Sequence, residues 1–584
     1  MKERLPFIIL LSAVIIKLMS FYALTHVSHY YIVIVLITCI IYTGMLLLLK
    51  KPWLSFSLAL VLSLIMEGEV LYFRYFNKLL SFSNISQAKF VESVSNILMG
   101  LIRPLDLILF IDVFVLLYIC LKKKSFFKIK HKYITAAMVV AVIPFLTLSS
   151  YGNPAGQSIM NQEFFLYHVK DGVEVYLSGP EEIVEPVLEE AQEEVIEKEF
   201  TGLFKGKNLI TIQVESLQDM MLLRDVDGQE ITPFLNSLIE NDSFYYSSYY
   251  QQLGRGNTSD SEFSSHNSLY PSMEGISYDR YRDTEFRGLP VLLKEEGYKT
   301  MAFHGNVASF WCRDVSYDNQ GFDEFYSKEK LDDSHILGMG ISDTSLFEQG
   351  LEILKDVEEP FYGFFVTLTN HNPYELPEDL ISIDVGDLKG QFLGSYIESV
   401  NYTDRALEGF YNSLDQAGLL DNTVLIIYGD HHGIACMDDL YNKQVSDFIG
   451  HKYDFDEMMN IPLIIHSKGS GVSKQDDHVF DEQDLLPTLV NLFGIEADLK
   501  MMGQDMLNTE DYFALFQTYM VTGSFIQNDI VFEMSRDSVF ENSRAYNRKT
   551  RQPVDLEACR PGYKRALYEI ALSKFILENN NVLK

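Results

Sequence analysis

With 584 residues the chain is too long for one ordinary domain, and its net charge of −34 argues against holding nucleic acid or an anionic membrane by broad attraction. Its five cysteines, Cys39, Cys120, Cys312, Cys436 and Cys559, include no C-x-x-C pair, which argues against a disulfide framework. The charge is uneven: residues 1–150 carry 15 Lys+Arg against 6 Asp+Glu, and the remainder carries −43. That split suggests a membrane part followed by an acidic, solvated part that needs cations.

Five apolar stretches in residues 1–150 approach the length of a membrane span: Pro6–Leu24, Tyr30–Leu49, Trp53–Tyr72, Pro104–Leu121 and Tyr133–Ser149. The first is too long in its apolar run, and too soon followed by the second, for a cleaved signal peptide. Lys2 and Arg4, then Lys50 and Lys51, then the lysines between 122 and 132 all fall on one side if the N-terminus is inside. The positive-inside rule then places everything after residue 150 outside the cytoplasm. Glu67, Glu69 and Arg74 lie late in the third span, at the outer interface or against a lipid headgroup.

Residues 151–203 form an acidic, helical-looking linker, with PEEIVEPVLEEAQEEVIEKEF as its charged run. From Asn208 the pattern changes to apolar strand runs alternating with helical stretches. NLITIQVES, YKTMAFHGN, FYGFFVTLTNH, NTVLIIYGDHHG and IPLIIHSKG are the strands, and TPFLNSLIEN and Asp404–Ala417 have helical spacing. This alternation predicts an α/β domain over 204–510 with a mostly parallel central sheet. A small α+β subdomain is expected over 511–584, where VFENSRAYNRKTRQPVD reads as a hairpin and GYKRALYEIALSKFILENN as a closing helix.

In such sheets ligands collect beyond the carboxyl ends of the strands. Glu215, His304, His371 and the pair Asp430–His431 all stand at the ends of apolar runs, so they converge on one edge. Each has a plain alternative, a cap for the carboxylates and a satisfied interior group for the histidines. Their shared placement favours a site. Carboxylates with one imidazole make an oxygen-rich donor set that suits Mn²⁺ or Mg²⁺ better than Zn²⁺. GRGNTSDSEF, residues 254–263, is a glycine-containing loop that opens a helix, with Thr258 and Ser259 as candidate hydroxyl nucleophiles. Arg313 in FWCRD offers a planar fork for phosphate oxygens, and Trp311 walls a pocket or fills core.

NLITIQVES, ITPFLNSLI, GRGNTSDSEFSSHNSLY, AFHGN, FWCRD, TLTNHNPY, YGDHHG and DLLPTLVNLFGI occur in the order found in lipoteichoic acid synthases, which this sequence resembles over nearly its whole length. These are phosphoglycerol transferases of Gram-positive cell membranes, with five spans and an extracellular sulfatase-like domain of the alkaline phosphatase superfamily. The resemblance implies that Glu215, Thr258, Asp430 and His431 bind one Mn²⁺, with Mg²⁺ a possible substitute, and that Thr258 is the nucleophile. It implies headgroup contacts for His304, Trp311, Arg313 and His371, with phosphatidylglycerol as donor and a glycolipid or polyglycerolphosphate as acceptor. His432 is given no ligand role, and no protein partner is implied. The residues Arg255 and Asn257 depart from the family's usual loop.

Three rivals remain. A sulfatase needs C/S-x-P-x-R, and GRGNTSDSEF has no such proline. A phosphoethanolamine transferase of the same superfamily usually carries several disulfides in its outer domain, and this chain has three cysteines beyond residue 150. A non-catalytic binder usually lacks a ligand or the nucleophile, and all four positions are present here.

Overall fold

The computed structural model describes residues 5–25, 31–49, 51–76, 79–82, 101–122, 138, 140, 163–176, 198–437, 439–535 and 539–579. The chain forms two compact units: 1–88, 95–181 and 534–543 in one, and 89–94, 182–533 and 544–584 in the other.

In the first unit, α1 (Leu5–Leu24), α2 (Tyr31–Leu48), α3 (Pro52–Phe76) and α4 (Ile111–Leu121) are apolar helices, α4 continuing a 3₁₀ turn over Pro104–Phe110. Leu10, Val14, Tyr22, Tyr42, Met66 and Leu116 pack among them. By length and composition, two stretches among the described residues are sufficient to cross a membrane, Pro52–Arg74 and Pro104–Leu121; Ile8–Leu24 and Ile32–Leu48 are shorter apolar helices. The expected count of five spans is therefore not confirmed among the described residues. The fifth expected span, Tyr133–Ser149, lies outside the described residues apart from 138 and 140.

Each of these helices contributes one member to a buried polar cluster. Lys17 Nζ lies 3.2 Å from Asp112 Oδ1 and donates to Tyr42 Oη at 2.7 Å and Ser63 Oγ at 2.8 Å. A charge among apolar helices is tolerated when it is paired in this way. Two of the late polar residues of α3 are also engaged: Arg74 grips Asp106 through two bonds of 2.7 and 2.6 Å, and Glu69 lies 3.0 Å from His168. His168 belongs to α5 (Phe164–Tyr176), which falls inside the stretch expected as linker. Apart from Glu163, the remainder of that linker up to residue 197 lies outside the described residues.

The second unit is built on a nine-stranded sheet. In chain order its strands are β1 (Asn208–Val214), β2 (Ser243–Tyr250), β3 (Lys299–His304), β4 (Glu324–Tyr326), β5 (Phe361–Val366), β6 (Thr423–Gly429), β7 (Asn460–His466), β8 (Ser473–Asp476) and β9 (Phe480–Asp481). They lie side by side as β8–β2–β7–β6–β1–β5–β3–β4, with β9 also on β2. The run from β6 to β4 is parallel, while β7 is antiparallel to both its neighbours. The sheet is thus mixed rather than simply parallel. IPLIIHSKG shows that β7 is a buried strand, but an apolar run carries no mark of its direction.

Every residue of β1 and β6 is buried, as expected for central strands covered on both faces. Alternate residues serve separate cores. Ile210, Ile212, Leu425 and Ile427 pack with Val400, Leu407 and Phe410 of α7 (Phe392–Gln416). Leu209, Val424, Ile426 and Tyr428 pack on the other face with Phe263 of α6 (Asn257–Asn267). Beyond these, β10 (Phe513–Phe516), β11 (Ser524–Gln527), β12 (Ile530–Glu533) and β13 (Arg544–Asn547) form a four-stranded antiparallel sheet, and α8 (Arg560–Glu578) ends the described chain. The 539–555 stretch pairs its strand mainly with β12 and turns back through a single bridge, Tyr546 to Pro553.

Candidate metal and phosphoryl-transfer site

The four parallel strands β6, β1, β5 and β3 are consecutive in the sheet, so their carboxyl ends form one edge. Glu215 follows β1, Asp430 and His431 follow β6, His304 ends β3, and His371 lies five residues past the end of β5. Topology therefore delivers to one edge the residues that the sequence places at strand ends.

Glu215, Asp430 and His431 offer ligand atoms that all lie within 4.8 Å of one another, and all three residues are buried. His431 Nε2 is 3.6 Å from Glu215 Oε1 and 3.4 Å from Asp430 Oδ2. Its Nδ1 lies 3.1 Å from the His432 carbonyl, which accepts the Nδ1 proton and leaves Nε2 with a lone pair facing the carboxylates. Asp430 Oδ1 accepts from the backbone N–H of Ser216 and of His431, each at 2.7 Å. Ser216 Oγ donates to Glu215 Oε1 at 2.7 Å. Asp430 Oδ2, fully buried, has no hydrogen-bond donor.

The electrostatics match this geometry. Burial and the neighbouring Glu215 carboxylate push Asp430 up to about 7. Burial works against a charged His431, but Asp430 and Glu215 outweigh it and raise its pKa. Two carboxylates this close, one with an orphaned oxygen, form a cradle that a divalent cation fits. The donor set is oxygen-rich with a single imidazole, which favours a hard cation.

Thr258 lies beside this group. It is the second residue of α6, whose N-cap is Gly256, and its Oγ1 lies 3.5 Å from Glu215 Oε2. At 9% exposure it is the most accessible residue of an otherwise buried helix. Ser259, the other candidate hydroxyl, is fully buried and donates to the Gly256 carbonyl at 3.1 Å. The N-terminal turn of a helix favours an anion.

A helix reading NTSDSEFSSHN stays buried only because its polar groups are paired. Asp260 accepts from Gly254 N–H at 2.9 Å and from Ser277 Oγ at 2.8 Å. Ser261 bonds Glu482, and His266 reaches Tyr362 Oη at 2.7 Å. A methyl group at Gly256 would lie 2.6 Å from Ser259 Oγ and 2.9 Å from Ile276 Cγ2, so the loop before Thr258 requires glycine there.

The expected headgroup residues take varied positions. His304 is buried and its Nδ1 lies 3.0 Å from the Val366 carbonyl. Burial and the Arg313 charge drive His304 down to about 3, so it is a neutral imidazole. It is two strands from Glu215, about 10 Å by the usual strand spacing. His371 is half-buried, with Nδ1 2.9 Å from the Asn372 carbonyl. Trp311 is half-buried at φ 58° and Cys312 follows at φ 59°, two successive left-handed residues that turn the chain sharply into the helix over Arg313–Asn319. Arg313 is 1% exposed, and its Nε and Nη2 are taken by Glu262; Nη1 has no partner. His432 engages Gln251 and packs edge-on against Tyr519 at 4.5 Å.

Several contributors are not visible from sequence. Ser216, Gln213, Glu262 and Asn370 touch the site residues, Asn370 donating to the Glu215 carbonyl at 2.9 Å, and Tyr428 reaches them through Gln213. Only the period-2 position of Gln213 before Glu215, and of Tyr428 before Asp430, could have marked any of them.

Residues 207–495 match the Sulfatase family, and residues 1–162 match the Lipoteichoic acid synthase N-terminal domain. The chain is 30% identical to the lipoteichoic acid synthase-like protein YvgJ of Bacillus subtilis, over 90% of this chain and 87% of that one. It is 29% identical to the lipoteichoic acid synthase of Staphylococcus saprophyticus, over 86% and 81%. The crystal structure of the lipoteichoic acid synthase LtaP from Listeria monocytogenes superposes with a TM-score of 0.62 at 31% identity, over 65% of this chain and 94% of that one.

Proposed function

The chain belongs to the lipoteichoic acid synthase family, and from that premise we propose that it is a membrane-bound phosphoglycerol transferase. It takes glycerol phosphate from phosphatidylglycerol, releases diacylglycerol and builds the polyglycerolphosphate chain of lipoteichoic acid. One observation carries this reading: the Thr258 hydroxyl stands at a helix N-terminus, 3.5 Å from a carboxylate that lies within a few ångströms of Asp430 and His431.

Glu215, Asp430, His431 and Thr258 Oγ1 would hold the cation, with Mn²⁺ preferred over Mg²⁺ on family resemblance. When bound, such an ion supplies Lewis-acid polarisation of a phosphate oxygen and lowers the pKa of a coordinated hydroxyl. Thr258 Oγ1 attacks the phosphorus of phosphatidylglycerol, the P–O bond to diacylglycerol breaks, and diacylglycerol leaves with a proton. This gives a phosphoglycerol-threonine. The terminal hydroxyl of a glycolipid starter or growing chain then attacks that phosphorus, and the threonine hydroxyl is restored. The α6 amides stabilise charge developing on the phosphate. His304, held neutral, orients the headgroup by accepting a hydrogen bond at Nε2. His371, more accessible, suits proton transfer. Trp311 and Arg313 complete the headgroup pocket, Arg313 through the Nη1 that Glu262 leaves free.

Several spans with the N-terminus inside would place the catalytic unit on the outer face, where the donor lipid of the outer leaflet is within reach. None of the five cysteines is joined in a disulfide, which gives no support to the phosphoethanolamine alternative. The test is to supply the purified full chain with Mn²⁺ and headgroup-labelled phosphatidylglycerol or phosphatidylethanolamine. Diacylglycerol and labelled polymer from the first lipid only are expected. Turnover of the second alone would overturn the assignment.

A further inference from the structure

Gln213 and Tyr428 are register partners on the neighbouring parallel strands β1 and β6. Each stands two residues before a carboxylate of the candidate metal group, Gln213 before Glu215 and Tyr428 before Asp430. Both are fully buried. Tyr428 belongs to the core that also holds Phe263 of α6, so this pair lies on the α6 side of the sheet.

Their polar atoms form one chain of contacts. Tyr428 Oη donates to Gln213 Oε1 at 2.7 Å, and Gln213 Nε2 donates to the Thr258 carbonyl at 3.2 Å. Ser265 Oγ is 2.9 Å from Tyr428 Oη, and Ser261 Oγ is 3.4 Å from Gln213 Oε1. Thr258, Ser261 and Ser265 have the spacing of one helical face. The strand pair that ends in Glu215 and Asp430 is therefore bonded, two residues earlier, to the backbone of the nucleophile and to the next two turns of its helix.

We infer that Gln213 and Tyr428 are positioning residues that fix Thr258 relative to Glu215 and Asp430. This rests on the phosphoglycerol transfer proposed above. Two adjacent strands locked in register move little, so a hydrogen-bonded tie from them to the first turn of α6 sets the distance over which Thr258 must attack. A misplacement of about 1 Å costs on the order of 100-fold in rate. Neither side chain is placed to touch substrate, so the tie acts on the reacting geometry and not on lipid binding.

The experiment uses the full chain in nanodiscs with Tyr428→Phe, Gln213→Met and the double variant. Tyr428→Phe removes only a hydroxyl from a packed ring and decides the matter if Gln213→Met does not fold. Turnover of phosphatidylglycerol should fall roughly 10- to 100-fold in kcat, with KM within twofold. Mn²⁺ affinity by calorimetry without substrate should stay within threefold. The double variant should be no slower than the worse single one, because both break the same tie. Hydrogen exchange of residues 257–261 should accelerate locally, while the β1 and β6 amides stay protected. Unchanged kcat in both single variants, or parallel changes in KM and metal affinity, would overturn the inference. If the wild type releases no diacylglycerol, the substrate assignment fails and the exchange experiment still decides: unaltered protection of 257–261 in Tyr428→Phe overturns the tie, and local acceleration supports it.

Discussion

Glu262 stands one helical turn beyond Thr258 on α6 and grips Arg313, whose Nε donates to Oε1 at 3.0 Å and to Oε2 at 3.2 Å. Tyr317 Oη donates to the same carboxylate at 2.8 Å. Burial works against the guanidinium charge, but the Glu262 carboxylate outweighs it, so Arg313 stays charged inside the protein. Glu262→Gln should cost about 3–5 kcal/mol, because it strands a buried cation. Glu262→Leu combined with Arg313→Met should cost clearly less than the sum of the single changes. Denaturant unfolding of the wild type, Glu262→Gln, Glu262→Leu, Arg313→Met and the double variant measures both effects, and additive losses in the Leu/Met cycle would show that the pair is not coupled.

Thr258→Ala should abolish diacylglycerol release and leave the fold intact. The hydroxyl is 3.5 Å from Glu215 and belongs to no core, so its removal opens no large cavity. Thr258→Ser should keep measurable turnover. Mass spectrometry of the wild type after phosphatidylglycerol should show an adduct on the peptide containing Thr258. An adduct persisting in the alanine variant would move the nucleophile elsewhere.

The sequence exposes this site unevenly, and the reason is physical. Glu215, His304 and Asp430 were legible because a buried parallel strand reads as an apolar run, and a charged or imidazole residue at its end stands out. His431 followed from adjacency, while the loop that opens a helix offered Thr258 and Ser259 alike and only the family resemblance singled out Thr258. Glu262, Gln213 and Tyr428 were not legible, since their partners lie 51, 45 and 215 residues away in the chain. The burial of α6 was hidden for the same reason. NTSDSEFSSHN has the composition of a solvated segment, and only long-range partners such as Glu482, Arg313 and Tyr362 make its burial affordable. Strand direction was equally silent in IPLIIHSKG, where β7 breaks the parallel run.

Gly429 should tolerate no side chain. It sits between Tyr428 and Asp430, and a methyl there would lie 2.0 Å from the Leu217 carbonyl and 3.2 Å from Ile461 Cβ. Leu217 follows Glu215 by two residues, so relieving the clash must separate the two turns that carry the carboxylates. Gly429→Ala should lower kcat by about 100-fold and stability by about 1–3 kcal/mol. Divalent-cation titration should show weakened binding as well, unlike the Tyr428→Phe variant. Full activity would mean the turns adjust independently of each other.

Asp404 supplies a helix cap from another helix, and its effect should depend on pH. It lies on α7, and its Oδ2 and Oδ1 accept from the backbone N–H groups of Phe234 and Leu235, each at 2.9 Å, at the start of the helix Pro233–Glu240. Thr232, the residue at the N-cap, makes no side-chain cap bond. Burial pushes Asp404 up to about 7, although the two N–H groups pull it down. Its folded pKa thus lies above the unfolded value of about 4. The stability it contributes is complete below about pH 4 and is lost as pH rises through about 7. Asp404→Asn removes that titration and weakens the cap by about 1 kcal/mol. The stability gap between wild type and Asp404→Asn, from denaturant unfolding, should therefore narrow from pH 5 to pH 8. A gap that widens with pH would mean the two N–H bonds dominate and the carboxylate is ionised throughout.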